Sequence, residues 1–526
     1  MDNHLISQLE KLIDIGIALS AEQDSSRLLE MILQGAKQIT RADGGTLYSI
    51  EGNAIKMAIV LSDSLGINLG GSFGVPVTMP DIPLYFEDGA PNLKNVVSCS
   101  FHHNKTINIA DAYHNQDFDF AGTKAFDLQN QYHSKSFLAV PMRNHEGDII
   151  GILQLINAIN ASDNKVMGFD EISQHITEAL ASQAAIVLTK QCLIDDLANM
   201  FESLVQLIAT AIDNKSPHTG EHCRRVPELT MMVAEAAHNT RHGYLRDFVM
   251  TDADRYELKI AGWLHDCGKI ATPESVIDKA TKLQTIVDRI VLLETRFEVV
   301  RRDREIALLK QQIQALEQGQ TPESAGTQAY LAALAELDED LAFIRQANKG
   351  GEFMPPEDQE RIRAFKHRSW RLGGEMQPLL SDDEIDNLTI AKGTLNAEER
   401  RIINQHIDVT IAMLEKITFP KHLQHVPEYA GGHHEKMDGT GYPKGLYRSQ
   451  MSIQARSMAI ADIFEALTSK DRPYKQGKTL SESLAILKKM KETNHIDPDL
   501  YDAFIEQKVY RHYAEKFLDD YQLDVE

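Results

Sequence analysis

The N-terminal part of the chain switches between two patterns of apolar side chains. Residues 24–42 carry apolar side chains at helical spacing, whereas 44–50 and 54–61 form the short runs typical of strands. Two further strands are predicted within 134–159, joined by a turn at Asn144–Gly147. Helices and strands in this order predict an α+β domain with an antiparallel sheet.

A long helix is predicted over 171–213, because this stretch contains neither proline nor glycine. At 1.5 Å per residue it would measure roughly 60 Å. Its apolar residues recur mostly by threes and fours, the spacing of a helix-pairing seam. Two interpretations remain open: the helix pairs with its copy in a parallel homodimer, or it packs on its own domains. The seam consists of Leu180, Ala184, Val187, Leu193, Leu197, Phe201, Leu204 and Ile208.

Composition and charge narrow the class of protein. The 526 residues are 43% apolar and carry a formal net charge of −23. This charge disfavours nucleic-acid polymers and anionic membranes as partners, since both require a basic face. Four cysteines without a CxxC pair argue against a disulfide framework and a thiolate zinc site. The acidic N-terminus and the lack of a bilayer-length apolar run predict a cytoplasmic protein.

Imidazoles and carboxylates recur from residue 222 onwards, in five separate segments. An isolated His-Asp pair such as His265-Asp266 is more often a satisfied polar pair than a metal site. The number of such residues favours a metal centre, and this donor set suits iron, manganese, zinc or nickel better than magnesium. Cys223 and Cys267 each follow a candidate ligand and are expected to be buried apolar side chains. The candidate ligands are His222, His265, Asp266, His406, His433, His434 and Asp462.

Four motifs in this region resemble those of the HD-GYP family of metal-dependent phosphohydrolases. They are "HDCGK" at 265–269, "LNAEERRIINQH" at 395–406, "HHEKMDGTGYP" at 433–443 and "ADIFEALTSKDRPYK" at 461–475. The resemblance covers about 200–515, less an insertion, and implies an all-α helical domain.

The resemblance also implies a cluster of two or three divalent metal ions, with iron or manganese favoured. Asp266 would bridge two of them. His222, His265 and Asp462 would complete one site, and His406, His433 and His434 would complete the other. Such a pair activates water and clamps phosphoryl oxygens. Members with three metals carry a glutamate where this chain has His218, which could bind a third metal or face solvent.

Substrate contacts follow from the same resemblance. Lys269 would neutralise charge that develops on the phosphate, and Arg472 and Lys475 match positions that contact phosphate. Tyr442, in the turn 441–443, would line the substrate groove. Glu435 would orient a metal-bound histidine, or else lie on the surface.

The implied reaction is hydrolysis of cyclic di-GMP to linear pGpG and perhaps to GMP. Asp266 and Lys269 would be the catalytic residues. Two alternatives remain open: the substrate is another cyclic dinucleotide, or the protein is a catalytically inactive metal-binding signalling scaffold. The presence of all seven candidate ligands and of Lys269 weighs against the scaffold.

The N-terminal region resembles a GAF sensor domain over about 20–188. The resemblance rests on "NIADAYHNQDFDF" at 108–120, the strand pair within 134–159 and "FDE" at 169–171. The asparagine motif of cyclic-nucleotide-binding relatives is matched only in part, because alanine replaces its lysine at 158. A ligand-binding sensor and a pocketless dimerisation domain both remain open.

An insertion of about 284–392 interrupts the HD-GYP pattern. Two stripes of apolar residues flank a breaker at 319–326, and they predict an antiparallel helical hairpin over 284–347. Residues 348–392 are predicted to be irregular with short helices. The hairpin could bind a protein partner, pair subunits, cap the active site or simply pack on itself in solvent. The stripes are Leu283, Ile286, Ile290, Leu293, Phe297 and Val300, then Tyr330, Leu334, Leu337, Leu341 and Ile344.

Overall fold

The computed structural model describes residues 3–22, 24–215, 221–321, 324–351, 353–469 and 477–525. His218, Arg472 and Lys475 therefore lie outside the described residues. Contacts divide the chain into two compact units, unit 1 at Met1–Met200 and unit 2 at Phe201–Glu526. No helix among the described residues is long and apolar enough to cross a membrane.

Unit 1 is built on an antiparallel sheet. The strands follow the order β3-β2-β1-β7-β6-β5, with β4 paired to β2 and β8 paired to β7. The predicted strand pair is confirmed, since β6 and β7 pair along their lengths. Gly147 in their connecting turn has a φ of 92°, a conformation that favours glycine. The strands are β1 (Ala42–Glu51), β2 (Ala54–Ser62), β3 (Ile67–Gly70), β4 (Ile82–Pro83), β5 (Ile107–Ile109), β6 (Phe137–Arg143), β7 (Ile149–Ile159) and β8 (Val166–Met167).

Helices cover both faces of this sheet. On one face, Leu33 and Leu153 share an apolar core with Leu180 of the long helix. On the other face, Val96, Phe120 and neighbouring apolar residues form a second core. The helices are α1 (Asn3–Ala21), α2 (Ser25–Thr40), α3 (Val96–His103), α4 (Ala121–Asn130) and α5 (Glu171–Asp213).

The predicted long helix is confirmed as α5, which has 43 residues and contains the boundary between the two units. The start of its seam is buried, because Leu180 and Ala184 pack into the core of unit 1. Further along the seam, several large apolar residues are at least 40% exposed. They are Leu193, Leu197, Leu204 and Ile208.

Unit 2 is mostly helical. Two of its apolar cores bring α6 and α7 against the helices of the C-terminal third. The helices are α6 (His222–Asn239), α7 (Asp252–Leu264), α8 (Glu274–Ile277), α9 (Ile290–Glu317), α10 (Ser324–Asn348), α11 (Pro356–Ala364), α12 (Asp382–Leu388), α13 (Ala397–Asn404), α14 (His406–Leu414), α15 (Val426–Gly431), α16 (Ile453–Thr468), α17 (Leu480–Glu492), α18 (Pro498–Glu506) and α19 (Val509–Phe517).

The segment between 284 and 392 has its own apolar core, to which α9, α10, α11 and α12 contribute. Arg345 of α10 pairs with Glu294 of α9 at 2.7 Å, and Arg301 pairs with Asp338. The prediction of irregular chain with short helices missed two strands, β9 (Ser369–Leu372) and β10 (Glu375–Pro378). Gly373 and Gly374 join them, both with positive φ, which is the signature of a two-residue hairpin turn.

Lys279 joins the two ends of this segment. Its buried Nζ donates to Asn387 Oδ1 at 3.1 Å and to both carboxylate oxygens of Glu399, at 2.8 and 2.7 Å. Thr394 Oγ1 donates to the carbonyl of Lys279 at 2.8 Å. The chain therefore leaves the helical domain and returns to it at the same place.

Candidate metal centre

Three helix ends in unit 2 meet at Asp266. His222 begins α6, His265 directly follows α7, and His406 begins α14. His222 Nε2 lies 3.2 Å from Asp266 Oδ2 and 3.4 Å from Asp462 Oδ1. His265 Nε2 lies 3.3 Å from the same Oδ2, and His406 Nε2 lies 3.2 Å from the opposite oxygen, Oδ1. The two carboxylate oxygens of Asp266 therefore face different histidines.

The structure brings all seven predicted ligands into this one cluster. They form sets of three whose potential ligand atoms all lie within 4.8 Å of one another. Two sets coincide with the predicted halves of a two-metal site, and the third contains Asp266 between them. The sets are His222, His265 and Asp462; His406, His433 and His434; and His265, Asp266 and His433.

Local hydrogen bonds select the tautomer of three histidines. The Nδ1 of His265 bonds the carbonyl of Gly262 at 2.7 Å. His406 and His433 do the same, each to the carbonyl three residues earlier, at 2.5 and 2.6 Å. A carbonyl only accepts, so each Nδ1 carries the proton and each Nε2 keeps a lone pair that points into the cluster.

Several of these acceptors lack a donor. Among the described atoms, the buried Nε2 of His406, Nε2 of His433 and Oδ1 of Asp266 make no hydrogen bond. Buried polar atoms normally have a partner, and lone pairs that converge without protons between them are what a cation needs. The residues therefore fit the divalent metals that the sequence predicts.

Burial and charge set the protonation states of the candidate ligands. Burial lowers the pKa of His433 to about 4. Burial lowers the pKa of His434 well below its ordinary value. For Asp266, burial opposes ionisation, but Lys269 and the hydrogen bond with His222 outweigh it and hold the pKa well below the usual range. His222 differs, because burial lowers its pKa but Glu465 and Asp266 outweigh burial and raise that pKa to about 10, so this imidazole must release a proton when a metal binds. His433, His434 and Asp266 already have the forms that bind divalent metals, neutral imidazoles beside an ionised carboxylate.

Glu465 and Arg225 complete the site and were not predicted from the sequence. Glu465 Oε2 accepts from His222 Nδ1 at 2.6 Å, and Oε1 accepts from Arg225 Nε at 2.8 Å. Burial alone would raise the pKa of Glu465, but His222 and Arg225 outweigh burial and lower this pKa to about 2. The ionised carboxylate thus holds His222 with Nε2 towards Asp266, the carboxylate-histidine arrangement common behind metal ligands.

A glycine allows the Asp266 turn to pack directly on α14. Gly268 N–H donates to Thr410 Oγ1 at 2.9 Å. A Cβ at Gly268 would lie 1.9 Å from the carbonyl oxygen of His406 and 2.5 Å from Thr410 N. Only glycine therefore permits Asp266 and His406 to approach as closely as they do.

Two family models match the chain. One described as a GAF domain matches residues 24–188, and one described as an HD domain matches residues 382–500. The chain contains a GAF domain and an HD domain. Both matches fit the HD-GYP protein with an N-terminal GAF domain that the motifs predict. The α+β domain, the long helix and the helical C-terminal region are confirmed together with them.

Curated relatives match shorter parts of the chain. A 3'3'-cGAMP-specific phosphodiesterase of Vibrio cholerae is 39% identical over 111 residues, which are 21% of this chain and 23% of the relative. A cyclic di-GMP phosphodiesterase of Pseudomonas aeruginosa is 47% identical over 74 residues, 14% of this chain and 17% of the relative. A cyclic di-GMP phosphodiesterase of Thermotoga maritima is 34% identical over 120 residues, 23% of this chain and 32% of the relative. The chain spans less than a third of the length of each.

One solved structure that resembles the chain is the GAF domain of an Acinetobacter phosphoenolpyruvate-protein phosphotransferase. It shares 15% sequence identity, covers 37% of this chain and 99% of its own, and has a TM-score of 0.27.

Lys269 lies beside the candidate ligand Asp266. Its Nζ donates to Asp266 Oδ2, whereas the sequence analysis predicted a phosphate contact. Burial lowers the pKa of Lys269, but the charges of Asp266 and Asp462 raise it more, so the side chain is an ammonium ion.

The turn after the histidine pair supports His434. The Tyr442 ring stacks on the His434 ring, with centroids 4.8 Å apart and planes at 21°. A Cβ at Gly441 would lie 2.3 Å from Lys436 N, so the turn folds back tightly on the chain.

Glu435 differs from both predictions for it. It is only 2% exposed, so the surface interpretation is wrong. Its carboxylate accepts from the backbone N–H groups of Lys444 and Leu446, at 2.7 and 2.9 Å, rather than from a histidine. Because a buried carboxylate gains most from nearby N–H donors, Glu435 holds the Tyr442 loop in place.

Proposed function

We propose that this protein is a metal-dependent phosphodiesterase that opens cyclic di-GMP to linear pGpG, with further hydrolysis to GMP as a slower step. One observation carries the proposal: two sets of three ligands, His222-His265-Asp462 and His406-His433-His434, lie on either side of the Asp266 carboxylate. Two divalent cations held this way would supply Lewis acidity on a phosphoryl oxygen and a nucleophile at neutral pH. The names of the relatives give the class of substrate.

Iron or manganese is the proposed metal. The donors are five imidazole nitrogens and two carboxylates, a set that suits first-row transition metals better than magnesium or calcium. His218, which lies outside the described residues, is proposed as a ligand only if a third ion binds.

The net charge of the protein indicates where an anionic substrate could bind. A protein with a net charge of −23 can hold a dianionic dinucleotide only where positive charge is concentrated. Two bound cations would neutralise Asp266 and leave the Lys269 ammonium, now bonded to that carboxylate, available for a phosphate oxygen. Arg472 and Lys475 are proposed as further phosphate contacts.

A related substrate is also supported. The relative that is 39% identical is named for 3'3'-cGAMP, which contains one guanine and one adenine base. The same metal centre would serve either dinucleotide, because the scissile phosphodiester is chemically the same.

The remaining proposals concern regulation and assembly. The GAF domain would modulate hydrolysis, since the metal-ligand sets found among the described residues all lie in unit 2. The exposed apolar part of α5 would pair with its copy in a parallel homodimer. The α9–α10 pair, joined by Arg345–Glu294, is proposed as an antiparallel hairpin that could bind a protein partner. A cytoplasmic location stays a prediction from the sequence.

The test loads purified protein with ferrous iron under anaerobic conditions, or with manganese, and follows cyclic di-GMP by chromatography. We expect linear pGpG to appear first. Asp266→Ala should lose most of the bound metal by elemental analysis, whereas Asp247→Ala, an exposed aspartate in the same unit, should retain it. No product from any cyclic dinucleotide with any of these metals would favour the inactive scaffold. Unchanged metal content in Asp266→Ala would contradict the ligand assignment.

A further inference from the structure

A cleft of about 430 Å³ runs along α13 and α14 of the HD domain. One wall is lined by Arg400, Asn404 and Asp408. These residues are four apart in sequence, about one helical turn, so their side chains share a face of the helical segment. Tyr442 and Pro443 form the opposite wall. The cleft is thus bounded by the helix that leads to His406 and by the loop that supports His434.

The cleft adjoins the metal centre. The ring of Tyr442 that lines it stacks on the imidazole of His434. Gln405, another lining residue, directly precedes His406. A substrate with its phosphate at the cluster would therefore have this cleft beside it.

Four of the polar side chains that line the cleft are not used by the protein itself. Within the part of the chain that the structure describes, the side chains of Arg400, Asn404, Gln405 and Asp408 make no hydrogen bond or ion pair. The neighbouring Arg401 is different, because it donates to Glu398 from both Nε and Nη2, at 3.0 and 2.6 Å. Four unengaged polar side chains around one cleft supply both donors and acceptors.

This mixture fits a nucleobase better than a second phosphate. The Asp408 carboxylate would repel a phosphate, which can only accept hydrogen bonds from the protein. Guanine presents O6 and N7 as acceptors on one edge and N1–H and N2–H₂ as donors on the next. An arginine forms a bidentate pair with O6 and N7, and adenine lacks this match because it carries an amino group in place of O6.

We infer that this cleft is a guanine-binding subsite, in which Arg400 donates to O6 and N7 and Asp408 accepts from N1–H and N2–H₂. Eight residues separate Arg400 from Asp408, which is about 12 Å of helix. Two side chains at that spacing can reach neighbouring edges of one purine. The inference rests on the proposed function for the identity of the ligand, a cyclic dinucleotide, and adds the base that the site selects.

The test compares Arg400→Met and Asp408→Asn with the wild type, using manganese-loaded full-length protein. Cyclic di-GMP and cyclic di-AMP are the two substrates, and kcat/KM is measured by chromatography. If the wild type hydrolyses neither, the dissociation constant of each is measured by isothermal titration calorimetry, so failure of the proposed function leaves this inference testable. Arg511→Met is the matched control, because Arg511 lies on α19, where it pairs with Glu515.

Arg400→Met should weaken kcat/KM or affinity for cyclic di-GMP by roughly 5- to 150-fold, the usual range for one bidentate arginine–guanine pair. Asp408→Asn should also lower kcat/KM or affinity for cyclic di-GMP. Neither variant should appreciably change kcat/KM or affinity for cyclic di-AMP. Equal losses for the two dinucleotides would overturn the inference, because they would indicate a general charge effect. An Arg400→Met variant that behaves like Arg511→Met would overturn it too.

Discussion

Replacing Glu465 by glutamine should weaken metal binding although Glu465 is not itself a proposed ligand. The residue is 1% exposed, and its two carboxylate oxygens serve different partners: Oε2 faces His222 Nδ1 and Oε1 faces Arg225. Glutamine has the same shape but only one acceptor oxygen. Its NH₂ group must therefore face a donor, on either His222 or Arg225.

The size of the effect follows from those contacts. Losing one hydrogen bond to a charged group should lower the free energy of unfolding by about 1.5–3 kcal/mol. Loss of the carboxylate also removes the charge that orients His222, whose Nε2 lies 3.2 Å from Asp266. Changes behind metal-bound histidines typically lower metal affinity by about 10- to 100-fold, or 1.4–2.7 kcal/mol.

The assay is a competitive manganese titration against a chelator, with thermal unfolding measured on the same samples. Glu257→Gln is the matched control, because Glu257 is a buried glutamate that also bonds a histidine, His425, which is not one of the candidate ligands. It should lose stability and keep its metal affinity. If Glu465→Gln bound manganese as tightly as the wild type, the claim that Glu465 holds His222 for the metal would be refuted.

Three further predictions test other parts of the structure. Gly268→Ala should lower the free energy of unfolding by about 1–3 kcal/mol and release metal, because its Cβ would clash with the His406 carbonyl oxygen. Thermal unfolding and metal analysis measure both effects, and Gly122→Ala, which has open space around it, is the control. Burial lowers the pKa of Lys282 to about 8 in the folded state, below its value in the unfolded chain. Below pH 8 the buried lysine is protonated and its charge lowers the stability of the wild type; this penalty disappears as the pH rises towards 10.5. The wild type should therefore gain up to about 3 kcal/mol over that range relative to Lys282→Met, which has no such charge, as measured by denaturant titrations. Leu197→Glu, at a position that is 61% exposed on α5, should convert a dimer to a monomer in light scattering, and a monomeric wild type at micromolar concentration would contradict the pairing of α5.

The candidate metal cluster could be predicted from the sequence because its residues stand in compact motifs. His265 and Asp266 are adjacent, as are His433 and His434, and although one such pair is weak evidence, five segments together favoured a metal centre. Glu465 was missed although it lies three residues after Asp462, on the same face of α16. Its partner His222 is 243 residues away, and only the packing of α16 against α6 brings them together.

The inserted segment illustrates a local signal that was overlooked. The pair Gly373-Gly374 between "SWRL" and "EMQP" is a recognised hairpin turn, but the flanking runs are short and polar and do not alternate clearly.

Glu435 shows that a residue in a recognised motif can have contacts that its motif does not predict. Its place in a histidine motif suggested a metal-related role, whereas its oxygens bind backbone N–H groups 9 and 11 residues later, which no side-chain pattern records.

The buried side chain of Lys279 has a consequence for how this protein could have acquired its inserted segment. This one residue is hydrogen-bonded to Asn387, Thr394 and Glu399. The two ends of the inserted segment therefore lie as close together as the ends of a short loop. Because the entropy cost of closing a loop rises by only about 0.6 kcal/mol for each doubling of its length, a long segment between ends that meet can be gained, lost or exchanged as a cassette. Related chains could then carry different cassettes at this position while the helices that hold the histidines keep the same spacing.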